Sequence, residues 1–183
     1  MLKITGGKLR GRRLLSPKGK ETRPTLEKTR AAIFNILNSR YELKDYSTYD
    51  LFAGTGALGF EAFSHGSNEV IFLDNNKQSC QFILKNINQL GLDECCSILF
   101  RDTVGWVKNY DWKKTPALFL IDPPYNTDLA QKIIDTLALR RDMLTGSLMV
   151  IETDKNHQFS YPPEFIIFQQ KVYGKTRLDF IEI

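Results

Sequence analysis

Between Ser47 and Asp154 the chain repeats one pattern: a short apolar run, an acidic residue near its end, then a stretch with helical periodicity. "TYDLFAG" precedes a predicted helix across Ala57–His65, and "EVIFLD" precedes one across Lys77–Leu90. "CSILFRD" leads to a short helix near Thr103–Asn109, "ALFLID" to one across Asp128–Arg140, and "SLMVIETD" is the fifth run. Val70–Leu73 and Leu118–Ile121 are continuously apolar. Strands of that kind have no wet face, so they belong in a parallel sheet covered by helices on both sides. The alternation therefore confines the chain to a doubly wound α/β fold. "EFIIFQQKVYG" and "TRLDFIEI", with Gly174 and Lys175 between them, read as a final antiparallel pair.

With 183 residues, 42% of them hydrophobic, the chain can bury one substantial core with a small appendage. No apolar run approaches the roughly 20 residues that span a bilayer, and "MLKITGGKLRG" lacks the apolar centre of a secretory signal. A cytoplasmic protein with no membrane partner is expected. Cys80 stands alone and Cys95 and Cys96 are adjacent, which suits neither zinc nor a disulfide framework. His65 and His157 are the only histidines. The expectation is reduced, structural thiols and no metal site.

Charge is unevenly divided. Residues 1–30 hold ten Lys or Arg against Glu21 and Glu27, a net of +8; the whole chain is +4, so the rest carries −4 (4 − 8). A basic arm on a mildly acidic body suits a grip on a polyanion, although charge alone fits a solvated tail equally well. Gly6-Gly7 is a turn signal for a small basic β-hairpin. Arg10 and Arg12 alternate there with Gly11 and Arg13, so guanidinium groups would line the ribbon. "SPKGKETRPT", which includes Arg23, follows as a loop, and Thr25 reads as a helix N-cap with Glu27 in the first turn. Leu26, Arg30, Ile33, Phe34, Ile36 and Leu37 form a stripe that would dock this arm. Two units are expected: residues 1–44 as hairpin, loop and docking helix, and 45–183 as the main domain.

Ligands of a doubly wound sheet bind at the carboxyl ends of its strands. The first strand runs into "DLFAGTGALG", in which Gly54, Gly56 and Gly59 match the G-x-G-x-x-G nucleotide-binding turn. Asp74, twenty residues past Gly54 (74 − 54), ends the next strand and is placed to hold a ribose. Asp50 would repel a pyrophosphate at that turn. Its carboxylate suits a cationic ligand better, and S-adenosyl-L-methionine carries a sulfonium and an ammonium group. The pattern D-x-F-x-G-x-G resembles the cofactor motif of Rossmann-like methyltransferases. Under that resemblance Asp74 takes the ribose hydroxyls and Asp102 sits at the adenine edge.

The fourth run ends in "DPPYN", Asp122 to Asn126. Pro123 and Pro124 hold the backbone extended and rigid. Asp122 supplies a hydrogen-bond acceptor, and Tyr125 a face on which a planar base can stack. "DPPY" resembles the signature of amino-methyltransferases, whose target nitrogens are conjugated and poorly nucleophilic. Acceptors aimed at the amino hydrogens draw density onto such a nitrogen and orient its lone pair.

The order "ITGGKLRGRRL", "RPT", "DLFAGTGALGFEA", "FLIDPPY", "VIE" and "YGKTRL" covers nearly the whole chain and is similar to the RsmD family, bacterial 16S ribosomal RNA guanine-N2 methyltransferases. The resemblance implies a Rossmann-like class I methyltransferase fold, a seven-stranded, mostly parallel sheet preceded by a basic hairpin that contacts ribosomal RNA through Arg10, Arg12, Arg13 and Arg23. It implies a cofactor site of Asp50, Phe52, Ala53, Gly54, Gly56, Asp74, Asn75 and Asp102 for S-adenosyl-L-methionine, and a catalytic loop of Asp122, Pro123, Pro124 and Tyr125. The partner implied is 16S rRNA within the 30S subunit or an assembly intermediate, methylated at guanine 966 by a monomer. Asp74 stands where many members have glutamate, and either can bind a ribose diol. The alternative is an adenine-N6 DNA methyltransferase, which usually carries a larger target-recognition region than about 45 residues of arm. A non-catalytic RNA-binding module is the other rival, and the intact glycine turn with Asp122 argues against it.

Overall fold

A computed structural model describes residues 2–17, 24–112, 116–124 and 127–183, the side chains of residues 24–26 excepted. Its sheet has seven strands: β1 (Ser47–Asp50), β2 (Glu69–Asp74), β3 (Cys96–Phe100), β4 (Ala117–Ile121), β5 (Leu148–Asp154), β6 (Ile166–Tyr173) and β7 (Thr176–Glu182). They lie in the order β3-β2-β1-β4-β5-β7-β6. The first five are mutually parallel, and β7 inserts antiparallel between β5 and β6. The α-helices among the described residues are α1 (Pro24–Asn38), α2 (Ala57–Ser64), α3 (Lys77–Leu90), α4 (Thr103–Asn109), α5 (Leu129–Ala138) and α6 (Arg141–Leu144). The expected doubly wound fold with an antiparallel closing pair is the one observed. The helix expected over Asp128–Arg140 is α5 with α6 directly behind it.

The continuously apolar strands have the two covered faces that their composition demands. In β4, Leu118 and Leu120 pack with Ile33, Phe34 and Leu37 of α1. Phe119 and Ile121 point the other way, into Ile133, Ile134 and Leu137 of α5. Phe72 and Phe119 are wholly buried, and burial of one such ring is worth about 1.5–3 kcal/mol. Helix α3 starts where Asn76 accepts from the amides of Gln78 and Ser79 at 2.9 and 3.1 Å, and ends at Gly91 with φ of +67°. One is a strong start signal and the other a strong stop signal, which is why its bounds match the predicted ones.

The arm is a short version of the expected hairpin: Ile4 N donates to Arg12 O, Gly11 N to Ile4 O and Leu14 N to Leu2 O, at 2.9–3.0 Å. Lys3 and Arg13 form its antiparallel bridge, around a single 3₁₀ turn at Gly7–Leu9. Other backbone groups of the arm bond to side chains of the body. Thr5 N and Gly6 N donate to Glu61 of α2, Leu9 N donates to Ser64 Oγ, and Leu15 exchanges two bonds with Asn86 of α3. Leu2, Ile4 and Leu14 are buried against Phe60, Phe63 and Phe72. The arginines take the opposite side: Arg10, Arg12 and Arg13 are exposed. Helix α1 starts at Pro24, so Thr25 lies in its first turn rather than at its cap. Proline is well suited to that first position because its missing N–H has no partner there anyway. Arg23 and Leu26 lie outside the described residues or side chains.

Candidate active site

The chain passes from β3 across to β4, on the far side of β1, so the strand order reverses between β1 and β4. Crevices form at the carboxyl ends of strands where that happens. Here the crevice is a cleft of about 560 Å³. Asp50, Asp74, Asp102 and Asp122, from the ends of β1, β2, β3 and β4, all reach its wall. Phe52, Ala53, Gly54, Asn75, Pro123 and Pro124 line it as well. Of the residues expected around a cofactor, Gly56 alone is off the wall; it is buried behind it at the start of α2. Tyr125 lies outside the described residues.

Hydrogen bonds to acidic side chains hold the glycine turn. Asp50 Oδ2 accepts from Gly59 N at 2.9 Å, tying β1 to α2. Asp74 Oδ2 accepts from Gly54 N and Oδ1 from Asn76 N, both at 2.7 Å. Asp102 caps α4 by accepting from Gly105 N at 2.7 Å. Gly56 has φ of +75°, and a Cβ there would meet the Phe60 ring at 2.8 Å. Only glycine meets both demands at that point. Asp50, Asp74 and Asp102 thus each have a structural duty, yet Asp74 and Asp102 keep unbonded lone pairs toward the cleft.

This donor set fits S-adenosyl-L-methionine. Acceptors outnumber donors, as a ligand bearing an ammonium, a sulfonium and a ribose diol requires. Burial raises the Asp50 carboxyl to about 7; the Gly59 N–H opposes this, and Asp122 and Asp74 reinforce it. Asp122 is raised by burial to about 6. A cation in the cleft would relieve both.

Sequence reasoning passed over several residues that the structure brings here. Asn76 and Ser79 line the cleft beside Asp74, and Thr103 Oγ1 donates to Leu51 O at 2.8 Å, fixing the start of α4 against β1. The Asn76 cap was legible as an Asn before a helical pattern. Glu152, in "VIE", is the larger omission. In-register pairing of Ile121 with Ile151 makes Asp122 and Glu152 the next residues on neighbouring strands.

A parallel α/β sheet with an inserted antiparallel β7, and a glycine turn and DPP loop facing one cleft, define the Rossmann-like class I methyltransferase fold. The family model described as conserved hypothetical protein 95 matches residues 2–182, and the chain belongs to that family, the RsmD family. The chain is 30% identical over 174 residues to the ribosomal RNA small subunit methyltransferase D of Buchnera aphidicola subsp. Acyrthosiphon pisum (strain APS), covering 95% of this chain and 89% of the relative. A solved structure of yhhF, a methyltransferase candidate from Escherichia coli, superposes with a TM-score of 0.83 at 23% identity, over 99% of this chain and 97% of that one. Another solved methyltransferase candidate, complexed with SAH, has a TM-score of 0.66 at 14% identity, over 88% of this chain and 50% of that one. Among the described residues no helix is long and apolar enough to cross a membrane, and no cluster of His, Cys, Asp and Glu is arranged to hold a metal ion.

Proposed function

We propose that the protein is an S-adenosyl-L-methionine-dependent ribosomal RNA methyltransferase that modifies the N2 amine of one guanine of 16S rRNA, guanine 966 by the family's pattern, within the small subunit or its precursor. One observation carries the reading: Asp50, Asp74, Asp102 and Asp122 converge on a single cleft from four adjacent strand ends. Its relatives' names and the SAH of a structural neighbour support the substrate and cofactor classes.

When bound, S-adenosyl-L-methionine supplies an electrophilic methyl group on a sulfonium. Asp74 and Asn75 would hold the ribose, Asp102 the adenine side, and Asp50 with Phe52, Ala53 and Gly54 the methionine end. Asp122 and the Pro123 carbonyl accept the two hydrogens of the target amine and turn its lone pair toward the methyl group. On accepting the methyl group the target nitrogen would have one proton to lose. Asp122, whose carboxyl sits above its ordinary range, is placed to receive it. Tyr125 supplies a stacking face for a flipped-out base. Arg10, Arg12, Arg13 and Arg23, in the 1–44 unit, hold phosphates of the rRNA.

The test is methylation of 30S subunits lacking the modification, set beside duplex DNA, with products identified by mass spectrometry after digestion to nucleosides. N2-methylguanosine from 30S subunits is expected. N6-methyladenosine from DNA would overturn the reading.

A further inference from the structure

We propose that Glu152 is a specificity-determining residue that accepts the N1–H of the acceptor guanine beside the amine held by Asp122, and so selects guanine against adenine. The inference rests on the guanine-N2 reading above and deepens it.

Three observations carry it. Asp122 and Glu152 follow directly on the in-register pair Ile121 and Ile151, so the two carboxyls stand on adjacent strand ends, about 5 Å apart at the backbone. Leu120 and Val150, two residues before them, lie in the same core cluster, so the alternation of the strands sends both carboxyls to the same face of the sheet. Second, Glu152 is 9% exposed, and among the described residues its carboxyl has no hydrogen-bond partner. No oxygen of that carboxyl is sealed off without a partner, so its free acceptors face solvent and are open to a donor brought by a ligand. Third, it opens into a small pocket walled also by Pro123, Pro124, Asp154, His157 and Phe159, next to the cleft. That wall is fixed: Arg177 donates to both carboxylate oxygens of Asp179 at 2.9 Å and to His157 O at 2.7 Å.

Guanine presents N1–H directly beside its N2 amine, a run of donors. Adenine presents an amine beside N1, which is an acceptor. Two carboxyls side by side match the first edge and oppose the second. Burial, then the charge of Asp122, raises Glu152 to about 8, with Arg30 opposing. A carboxyl keeps an oxygen able to accept a hydrogen bond whether or not it carries a proton. The pair is also a sink for the proton that nitrogen releases.

The test compares acceptor bases on the full chain. Wild-type enzyme is first run on unmodified 30S subunits and the product nucleotide located by mass spectrometry. Subunits are then assembled with 2,6-diaminopurine at that position, which keeps the C2 amine but has an acceptor at N1. Wild type should prefer guanine. Glu152→Ala should lower the guanine-to-diaminopurine ratio of kcat/KM about 10-fold or more, the effect of one lost buried hydrogen bond. Glu152→Gln, whose amide can donate to Asp122 and turn its oxygen outward, should retain the ratio. Cofactor Kd should be unchanged in both. If Glu152→Ala does not melt cooperatively, Glu152→Met, which fills the volume without a strong polar group, takes its place. An unchanged ratio in the alanine or methionine variant overturns the proposal while leaving the guanine reading intact; a wild-type product other than N2-methylguanosine overturns both.

Discussion

Asp50 and Gly59 are nine residues apart in sequence and joined by a 2.9 Å bond from the Gly59 amide to a carboxylate that is 1% exposed. The bond closes the glycine turn from behind while the same carboxyl reaches the cleft. Its protonation is therefore linked to what the cleft holds.

That linkage has a definite sign. Asp50 titrates near 7 in the folded protein, against about 3.9 unfolded. The folded state binds more protons in between, so the contribution of Asp50 to stability is greatest below about pH 4 and is lost as pH rises toward 7. A cationic cofactor favours the ionised form. S-adenosyl-L-methionine should bind more tightly as pH rises from 5.5 to 7 and release a proton on binding. Calorimetry in buffers of different ionisation enthalpy checks this; Asp50→Asn should reduce the release to the share that Asp122 contributes.

Asp74 bonds two backbone amides and faces the cleft. Asp74→Ala should weaken cofactor binding by about 1.5–3 kcal/mol, the range for charge-assisted hydrogen bonds. Identical titration curves for wild type and variant would remove Asp74 from the cofactor site.

Asp122→Ala should cost on the order of 10² or more in turnover on 30S subunits, as expected for losing one preorganised electrostatic partner. Asp122→Asn keeps an acceptor and should retain part of the activity. Cofactor affinity should survive both changes, because the ribose contacts proposed for it lie at the end of β2. A wild-type rate for Asp122→Ala would reduce the carboxylate to a turn residue.

Arg30 and Glu61 form a 2.9 Å ion pair with side chains 6% and 0% exposed. Burial alone would raise Glu61, but His65, Thr5 and Arg30 outweigh it and hold the carboxyl at about 2. Its contribution to stability is present above about pH 4.5 and is lost as pH falls toward 2. Glu61→Ala leaves Arg30 buried and unpaired, so unfolding in urea should show a loss of about 3–5 kcal/mol. A loss below about 1 kcal/mol would show that the pair is relaxed into solvent.

The exposed Arg10, Arg12 and Arg13 predict a separate effect. Their joint replacement by alanine should weaken RNA binding and flatten its salt dependence, since fewer counterions are released. Cofactor binding should not change. A filter-binding series from low to high salt would expose an unchanged slope, which is the result expected of a merely solvated face.

The sheet was legible because buried parallel strands leave an unmistakable apolar signature, and Val70–Leu73 and Leu118–Ile121 carry it. The cleft acids were legible because each stands at a strand end. The hairpin was legible in its Gly6-Gly7 turn, but its seat on the body was not. That seat is set by Glu61 and Asn86, polar residues within helical patterns whose partners lie 55 to 71 positions away. Nothing local distinguishes a glutamate that receives a distant backbone from one that faces water. Glu152 escaped for a related reason: an acid closing an apolar strand reads as a boundary, and only the register with β4 sets it beside Asp122.

Gly7 lies so close to the Ser64 carbonyl that a Cβ would collide with it, and Leu2, Ile4 and Leu14 complete the packing around Phe60 and Phe63. The basic arm is consequently not a portable part. Grafted onto another methyltransferase it would arrive without the Glu61, Ser64 and Asn86 that shape it. Deleted from this one, it would strip the cover from an apolar socket. Moving the arm to another chain therefore requires moving the facing surfaces of α2 and α3 with it.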